Sequence, residues 1–326
     1  MLVFPDALRS TDVPRGGIGT IGNFDGLHRG QRAILDLAVA RARSSGLAAM
    51  VVTFEPHPLS VLRPEEAPPR ITTLAQKERL FDEAGIDVVL VVRFTAEFSQ
   101  TPARLFVRDF LHQRLGLEEI YVGSRFVFGH RREGDLALLR QLGRDFGFAA
   151  FGVDEVLHKG EPISSTRIRR CVLAGEVEEA WEMLGRPFSI EGIIARGDRM
   201  GKRLGWPTIN VVSDNELLPA DGVYPGRVRF PSFPATFDCV TNIGTRPTLY
   251  ENYQRVVESH ILEFGSDVYG ERIELSFHKR LREERIFPSV MELSAQIGRD
   301  VEATREYFAA RRRLEMEAGV PARAPE

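Results

Sequence analysis

Residues 22–31 read GNFDGLHRGQ and put one imidazole, His28, inside a glycine-bearing turn. The apolar run before it, residues 16–22, reads as a short buried strand, and residues 29–43 read as a helix with Ile34, Leu35, Leu37 and Ala38 among its apolar positions. A strand-to-helix turn aims free backbone N–H groups and the positive end of the helix dipole at whatever approaches, which suits a phosphate. His28 can hydrogen-bond phosphate oxygens as charge develops during a transfer. Taken alone, the stretch reads more readily as a tight turn carrying a surface histidine than as a phosphate site. Three more segments bring polar groups to an expected strand end or helix start: TFEPHP with His57, YVGSRFVFG with Arg125, and ISSTRIRR with Ser164, Ser165, Thr166 and Arg169. Each has a plainer reading by itself, His57 as a turn cap and Arg167 with Arg169 as a solvated helix face.

A second constellation lies in residues 197–210, GDRMGKRLGWPTIN. Gly201 and Gly205 let backbone cover phosphates, and Lys202 and Arg203 supply compensating charge. Thr208 and Asn210 alternate along an expected strand, so their oxygens share a face. Two neutral oxygen donors together with substrate phosphates suit Mg²⁺, which keeps waters and seldom takes an all-protein cage. The alternative is an ordinary hairpin with a half-polar strand. Further along stand Asn242-Ile-Gly-Thr-Arg246-Pro-Thr248, a strand with Glu258 and His260, and the loop KRLREERIF.

The elements that must hold these residues fall into two textures. Up to about Leu184, apolar runs such as AAMVVTF (48–54), DVVLVVRF, EEIYVG and FAAFGVDEV alternate with helical patterns over 74–84, 102–114 and 134–146. That order predicts an α/β unit, a parallel sheet with helices on both faces and ligands at the carboxyl ends of the strands. After Gly185-Arg-Pro the runs FSIEGIIAR, TINVV, GVYPGRVRF, ATFDCVTNI, RVVESHILEF and ERIELSFHK follow closely, which predicts a small antiparallel barrel. A last helix is expected to pack on the barrel through Val290, Leu293, Ile297, Val301 and Phe308. The expected domains are 1–185 and 186–326.

Composition narrows the function. The chain has 326 residues, 43% hydrophobic and 27% charged, room for two soluble domains. A net charge of −3, from 43 Lys and Arg against 46 Asp and Glu, gives no basic field for nucleic acid. Cys171 and Cys239 show neither disulfide nor zinc spacing, and His112, His130, His158 and His278 show no metal spacing. MLVFPDALRS lacks the features of a secretory leader, and no apolar run reaches membrane-spanning length. A cytoplasmic protein without a membrane partner is expected.

The set GNFDGLHRG, TFEPHP, FGHRREGD and ISSTRIR resembles the FMN adenylyltransferase module of bacterial bifunctional riboflavin kinase/FAD synthetases, a nucleotidyltransferase-type, Rossmann-like domain with an HxGH signature. GKRLGWPTIN, LLPADGVY, TNIGTRPT, VVESHILEF, DVYGERI and RLREERIF are similar, in order, to the riboflavin kinase module of the same family. The resemblance implies phosphorylation of riboflavin to FMN and adenylylation of FMN to FAD, with ATP as co-substrate and Mg²⁺ as cofactor. It implies nucleotide contacts from Asn23, Phe24, Asp25, Gly26, Gly30, Gln31, Ser164, Ser165, Thr166, Arg169, Gly201, Lys202 and Gly205, with His28 on the phosphates. It further implies Thr208 and Asn210 at the metal, Glu258 as base toward the ribityl 5′-hydroxyl, and flavin contacts from His57, Arg125, Asn242 and Arg246; His260 packs or supports. Two departures stand out: Gln31 replaces the second His of HxGH, and Arg125 stands where the family places Asp or Asn. Gln31 can donate to a phosphate but cannot become cationic. A kinase with a silenced adenylyltransferase domain is therefore one alternative, and a flavin-sensing regulator without turnover is another.

Overall fold

The computed structural model describes residues 1–196, 201, 204–246 and 254–317. The chain divides into two compact units, Met1–Ser165 and Thr166–Glu326.

In the first unit, β1 (Leu2–Phe4), β2 (Gly17–Ile21), α1 (Arg29–Ser45), β3 (Ala48–Glu55), α2 (Pro58–Leu62), α3 (Leu74–Glu83) and β4 (Val88–Arg93) come first. Then follow α4 (Ala103–Leu105), a π-helix over Phe106–Arg114, β5 (Leu117–Gly123), the short pair β6 (Val127–Phe128) and β7 (Gly134–Asp135), α5 (Leu136–Phe146), β8 (Ala149–Val153), and the pair β9 (Leu157–His158) and β10 (Glu161–Pro162). Six strands form one sheet in the order β1-β4-β3-β2-β5-β8, every neighbouring pair parallel. The valine-rich runs of β3 and β4 are buried on both faces, as a sheet covered by helices on each side requires. Met50, Val52 and Leu90 pack with Phe106, Phe110 and Leu139 on one face, and Val51, Val89 and Val91 pack with Leu35, Ala38 and Phe81 on the other. The edge strand β1 is short and mostly exposed and has no signal in the sequence pattern.

The second unit begins at Thr166, the second residue of α6 (Ser165–Ala174), and continues with α7 (Val177–Leu184), β11 (Phe188–Ala195), β12 (Ile209–Ser213), β13 (Gly222–Arg229), β14 (Thr236–Arg246), β15 (Gln254–Ile261), β16 (Arg272–Phe277) and α8 (Val290–Glu317). The strands close an antiparallel barrel in the order β11-β12-β15-β14-β13-β16. Helices α6 and α7 carry the helical texture of the first half yet pack here: Trp181 lies edge-on to His278 at 5.1 Å. Thr241 and Ser259 share a hydrogen bond of 2.7 Å inside the barrel, both fully buried.

The terminal helix packs on β13 and β14, with Val301 against Val223, Val240 and Leu262. Its buried stripe differs from the expected one. Val290 is 66% exposed, and the inner face runs Gln296, Asp300, Thr304 and Phe308 at four-residue spacing beside Val301. Polar groups hold these places because the loop before the helix offers them partners: Asp300 accepts a two-pronged ion pair from Arg282 at 2.7–3.2 Å.

Candidate active sites

Three of the chemistry-bearing segments of the first unit leave the carboxyl ends of adjacent strands: GNFDG after β2, EPHP after β3 and SRF after β5. Strand order reverses around β2, the place where open α/β sheets hold ligands. The turn after β2 is tightly fixed. The Gly22 N–H donates to the Val52 carbonyl at 3.1 Å, and the Thr53 hydroxyl donates to the Asn23 carbonyl at 3.3 Å. Asp25, 4% exposed, accepts from the Ile71 and Thr72 N–H groups at 3.0 and 3.2 Å and from the Thr72 hydroxyl at 3.3 Å. That hydroxyl in turn accepts from the Gly26 N–H at 3.0 Å. Phe24 (φ 47°) and Leu27 (φ 41°) hold left-handed backbone that non-glycine residues keep only under such restraint. At Gly26 (φ 88°) a Cβ would also come within 3.1 Å of Ile71.

His28 is the N-cap of α1. Its Nδ1 accepts from the Gln31 N–H at 3.3 Å, while Gln31 Oε1 accepts from the His28 N–H at 3.2 Å. The pair is a capping box built on an imidazole, and it explains the glutamine: Gln31 closes the helix start and fixes the ring of His28. Because Nδ1 accepts, the neutral ring carries its proton on Nε2, a donor. Gly30 lies beside that ring, where a Cβ would come 3.3 Å from it. His57 caps α2, its Nδ1 accepting from the Leu59 N–H at 3.2 Å, and its Nε2 lies 3.4 Å from the Asn23 amide. His57, Asn23 and His28 are thus brought to one edge.

Other expected contacts are placed differently. The Phe24 ring does not line a pocket: 2% exposed, it packs edge-on to Phe81 at 5.5 Å, because the left-handed turn points it into the core. The Asp25 carboxylate likewise turns inward to residues 71 and 72, so Asp25 shapes the turn rather than facing solvent. Arg125 is 72% exposed and ion-paired to Glu155, so its charge is already matched by a carboxylate. Ser165 donates its hydroxyl to the Asp25 carbonyl at 2.8 Å, next to the half-buried Ser164. Thr166 is exposed and Arg169 buried one turn further along α6, within the second unit. A residue with no motif, Lys77, is 4% exposed and lies 3.5 Å from Glu55; its only signal is that it shares a helical face with Leu80, Phe81 and Ala84.

In the barrel, register makes the site. Asn210 on β12 stands opposite Glu258 on β15, and Glu258 stands opposite Asn242 on β14. Directly opposed residues share a face, so the three form one row across three strands, half-buried on the outside of the barrel. Thr208 immediately precedes β12 rather than lying within it. The backbone of Gly201 comes so close that a Cβ there would meet the Trp206 carbonyl at 2.4 Å and the Thr208 hydroxyl at 2.9 Å. Gly205 (φ 84°) is an exposed turn residue. Lys202, Arg203 and the side chain of Arg246 lie outside the described residues. His260 donates from Nδ1 to the Pro207 carbonyl at 2.7 Å and meets Trp206 edge-on at 5.6 Å, which steadies the entry to Thr208.

Glu284, from KRLREERIF, completes this surface. It accepts from the Asn242 amide at 3.3 Å and the Thr245 N–H at 3.4 Å, over Gly244. A charged cleft of about 580 Å³ opens beside it, lined by Asp221, Arg255, Arg280 and Glu283. Thr208 and Asn210 offer hard oxygen donors at a half-buried place next to a carboxylate, a set that fits Mg²⁺ held jointly with phosphate.

The chain matches two family models, FAD synthetase over residues 10–167 and riboflavin kinase over residues 184–308. It is 39% identical to the bifunctional riboflavin kinase/FMN adenylyltransferase of Escherichia coli K12 over 90% of this chain and 93% of that one. The Pseudomonas fluorescens protein of the same name is 38% identical over 89% and 93%. A solved structure titled as a macrolide-efflux protein from Streptococcus pneumoniae matches with a TM-score of 0.83 and 27% identity, covering 93% of this chain and 98% of that chain. Among the described residues no helix is long and apolar enough to cross a membrane.

Proposed function

The chain belongs to the bifunctional riboflavin kinase/FMN adenylyltransferase family, and from that premise we infer how its residues divide the two reactions. It phosphorylates riboflavin to FMN and adenylylates FMN to FAD, both with ATP. The two matching family models and the bifunctional relatives favour this reading over a kinase lacking its second activity and over a turnover-free flavin sensor.

The barrel carries the kinase step. Phosphoryl transfer needs positioning and charge neutralisation more than covalent help from the protein. Glu258 accepts the proton of the ribityl 5′-hydroxyl as that oxygen bonds to the γ-phosphorus and ADP leaves. Its neighbour Asn242, hydrogen-bonded to Glu284, orients the ribityl chain. Thr208 and Asn210 would hold Mg²⁺, which when bound neutralises phosphate charge. The close-packed backbone at Gly201 covers the nucleotide phosphates. The register row Asn210–Glu258–Asn242 is the observation that carries this reading.

The turn after β2 carries the adenylyl step. An oxygen of the FMN phosphate attacks the α-phosphorus of ATP and pyrophosphate leaves. His28, with its proton on Nε2, donates to the phosphates as charge builds, and the N–H groups at the start of α1 add the helix dipole. Asn23 and His57 flank the flavin side. A cytoplasmic location fits ATP as co-substrate and two free, buried thiols, Cys171 and Cys239.

Incubation with riboflavin, excess ATP and Mg²⁺, followed by chromatography with fluorescence detection, tests the division. FMN is expected first and FAD after it, and supplied FMN gives FAD directly. FMN accumulating without FAD, even when supplied, contradicts the adenylyl assignment.

A further inference from the structure

Lys77, on the first turn of α3, is a buried cation, 4% exposed. Its Nζ lies 3.5 Å from Glu55, which also accepts from Arg70 at 2.6 Å. Burial lowers the pKa of Lys77, while the charges of Glu55 and Asp25 work to raise it, so both carboxylates act on this ammonium. The two acids belong to different segments. Asp25 lies in the turn with Asn23 and His28, and Glu55 ends β3 two residues before His57. The turn holds two left-handed non-glycine residues, a conformation that persists only where its surroundings over-determine it.

We infer that Lys77 is a positioning residue for adenylyl transfer: its ammonium neutralises Asp25 and Glu55 together and so locks the turn carrying His28 against the strand end carrying His57. This rests on the reading of that turn as the nucleotide site. An uncompensated carboxylate in so buried a place repels its neighbour or draws in water, and either moves the turn. Displacing Asp25 shifts residues 71 and 72, which grip it, and Gly26, which is tied to Thr72. Misplacement by about 1 Å is enough to lower transfer by about 10²-fold.

The test measures kcat and KM for FAD formation and, in the same preparation, FMN formation from riboflavin. Lys77→Met is expected to lower kcat for FAD about 10²-fold with FMN formation unchanged. Adding Glu55→Gln removes the uncompensated charge and should recover about tenfold of that loss, which a packing role does not allow. Unchanged kcat in Lys77→Met, or no recovery in the double variant, overturns the inference. His28→Ala runs alongside. Should it keep full FAD formation, the nucleotide-site reading falls and the role of Lys77 with it; should it fail while Lys77→Met stays active, the role of Lys77 alone falls. If Lys77→Met does not fold, Glu55→Gln alone decides: KM for FMN rises several-fold at constant KM for ATP, and no change overturns the inference.

Discussion

In the barrel, Asn210, Glu258 and Asn242 stand together because three strands share one register. In the α/β unit, Asn23, His28 and His57 meet only because a strained turn is bolted to residues 71 and 72 and to the end of β3. A ladder of backbone hydrogen bonds carries the first arrangement and spreads the restraint over many residues. A few side-chain hydrogen bonds carry the second. The difference teaches where each site is vulnerable: the barrel site through the residues in the row, the turn site through residues beneath it.

Removal of the oxygen donors in the barrel should have the largest effect. Thr208→Ala with Asn210→Ala is expected to lower FMN formation by more than about 10²-fold with little change in melting temperature, since both are half-buried. A chain that keeps turnover removes the metal assignment. FAD formation from supplied FMN should hold, and its loss would show that the two sites are not independently placed.

One buried titratable group of the barrel unit, His278, follows β16, which is not among the strands of the row. His278, 3% exposed among Trp181, Tyr307 and Phe308, has its pKa pushed down from 6.5 to about 3, chiefly by burial and also by Arg227 and Arg311. The unfolded chain therefore binds a proton that the folded one refuses as pH falls below 6.5. Stability is full above that pH and declines toward pH 3 by on the order of 1 kcal/mol per unit. His278→Phe should flatten that slope in denaturant titrations between these limits while leaving FMN formation at neutral pH within about twofold.

Smaller effects sharpen the other side. Gln31→Ala opens the capping box and should cost the first unit about 1 kcal/mol, seen in its melting, with kcat for FAD falling more than KM changes. A rise in KM for ATP with kcat unchanged would mean that Gln31 acts on the nucleotide and not on the ring of His28. Arg125→Ala is expected to be the weakest, under about 1 kcal/mol, because its partner Glu155 lies with it at the surface. A rise in KM for FMN in that variant would put Arg125 on the flavin after all.

Much of this was legible in the sequence where periodicity is strong. The valine-rich strands, the barrel runs and the presence of a terminal helix follow from apolar spacing, whereas the polar inner stripe of that helix does not. Register does not: nothing in the spacing aligns Asn210 and Asn242 with Glu258, because pairing depends on turns and closure. Gln31 reads as a lost imidazole until the fold makes it a cap, since histidine is an unusual N-cap and hides the box. Phe24 reads as pocket-lining until a left-handed backbone turns its ring inward. Lys77 sits in a charged stretch, KER, and only its helical face betrays its burial.

The most direct test of separate placement is a crossed assay. Glu258→Gln and His28→Ala are each measured for FMN formation from riboflavin and for FAD formation from supplied FMN. The account predicts that Glu258→Gln loses the first and keeps the second, and that His28→Ala does the reverse. Either variant losing both activities while folded, or keeping the one assigned to it, would contradict the account.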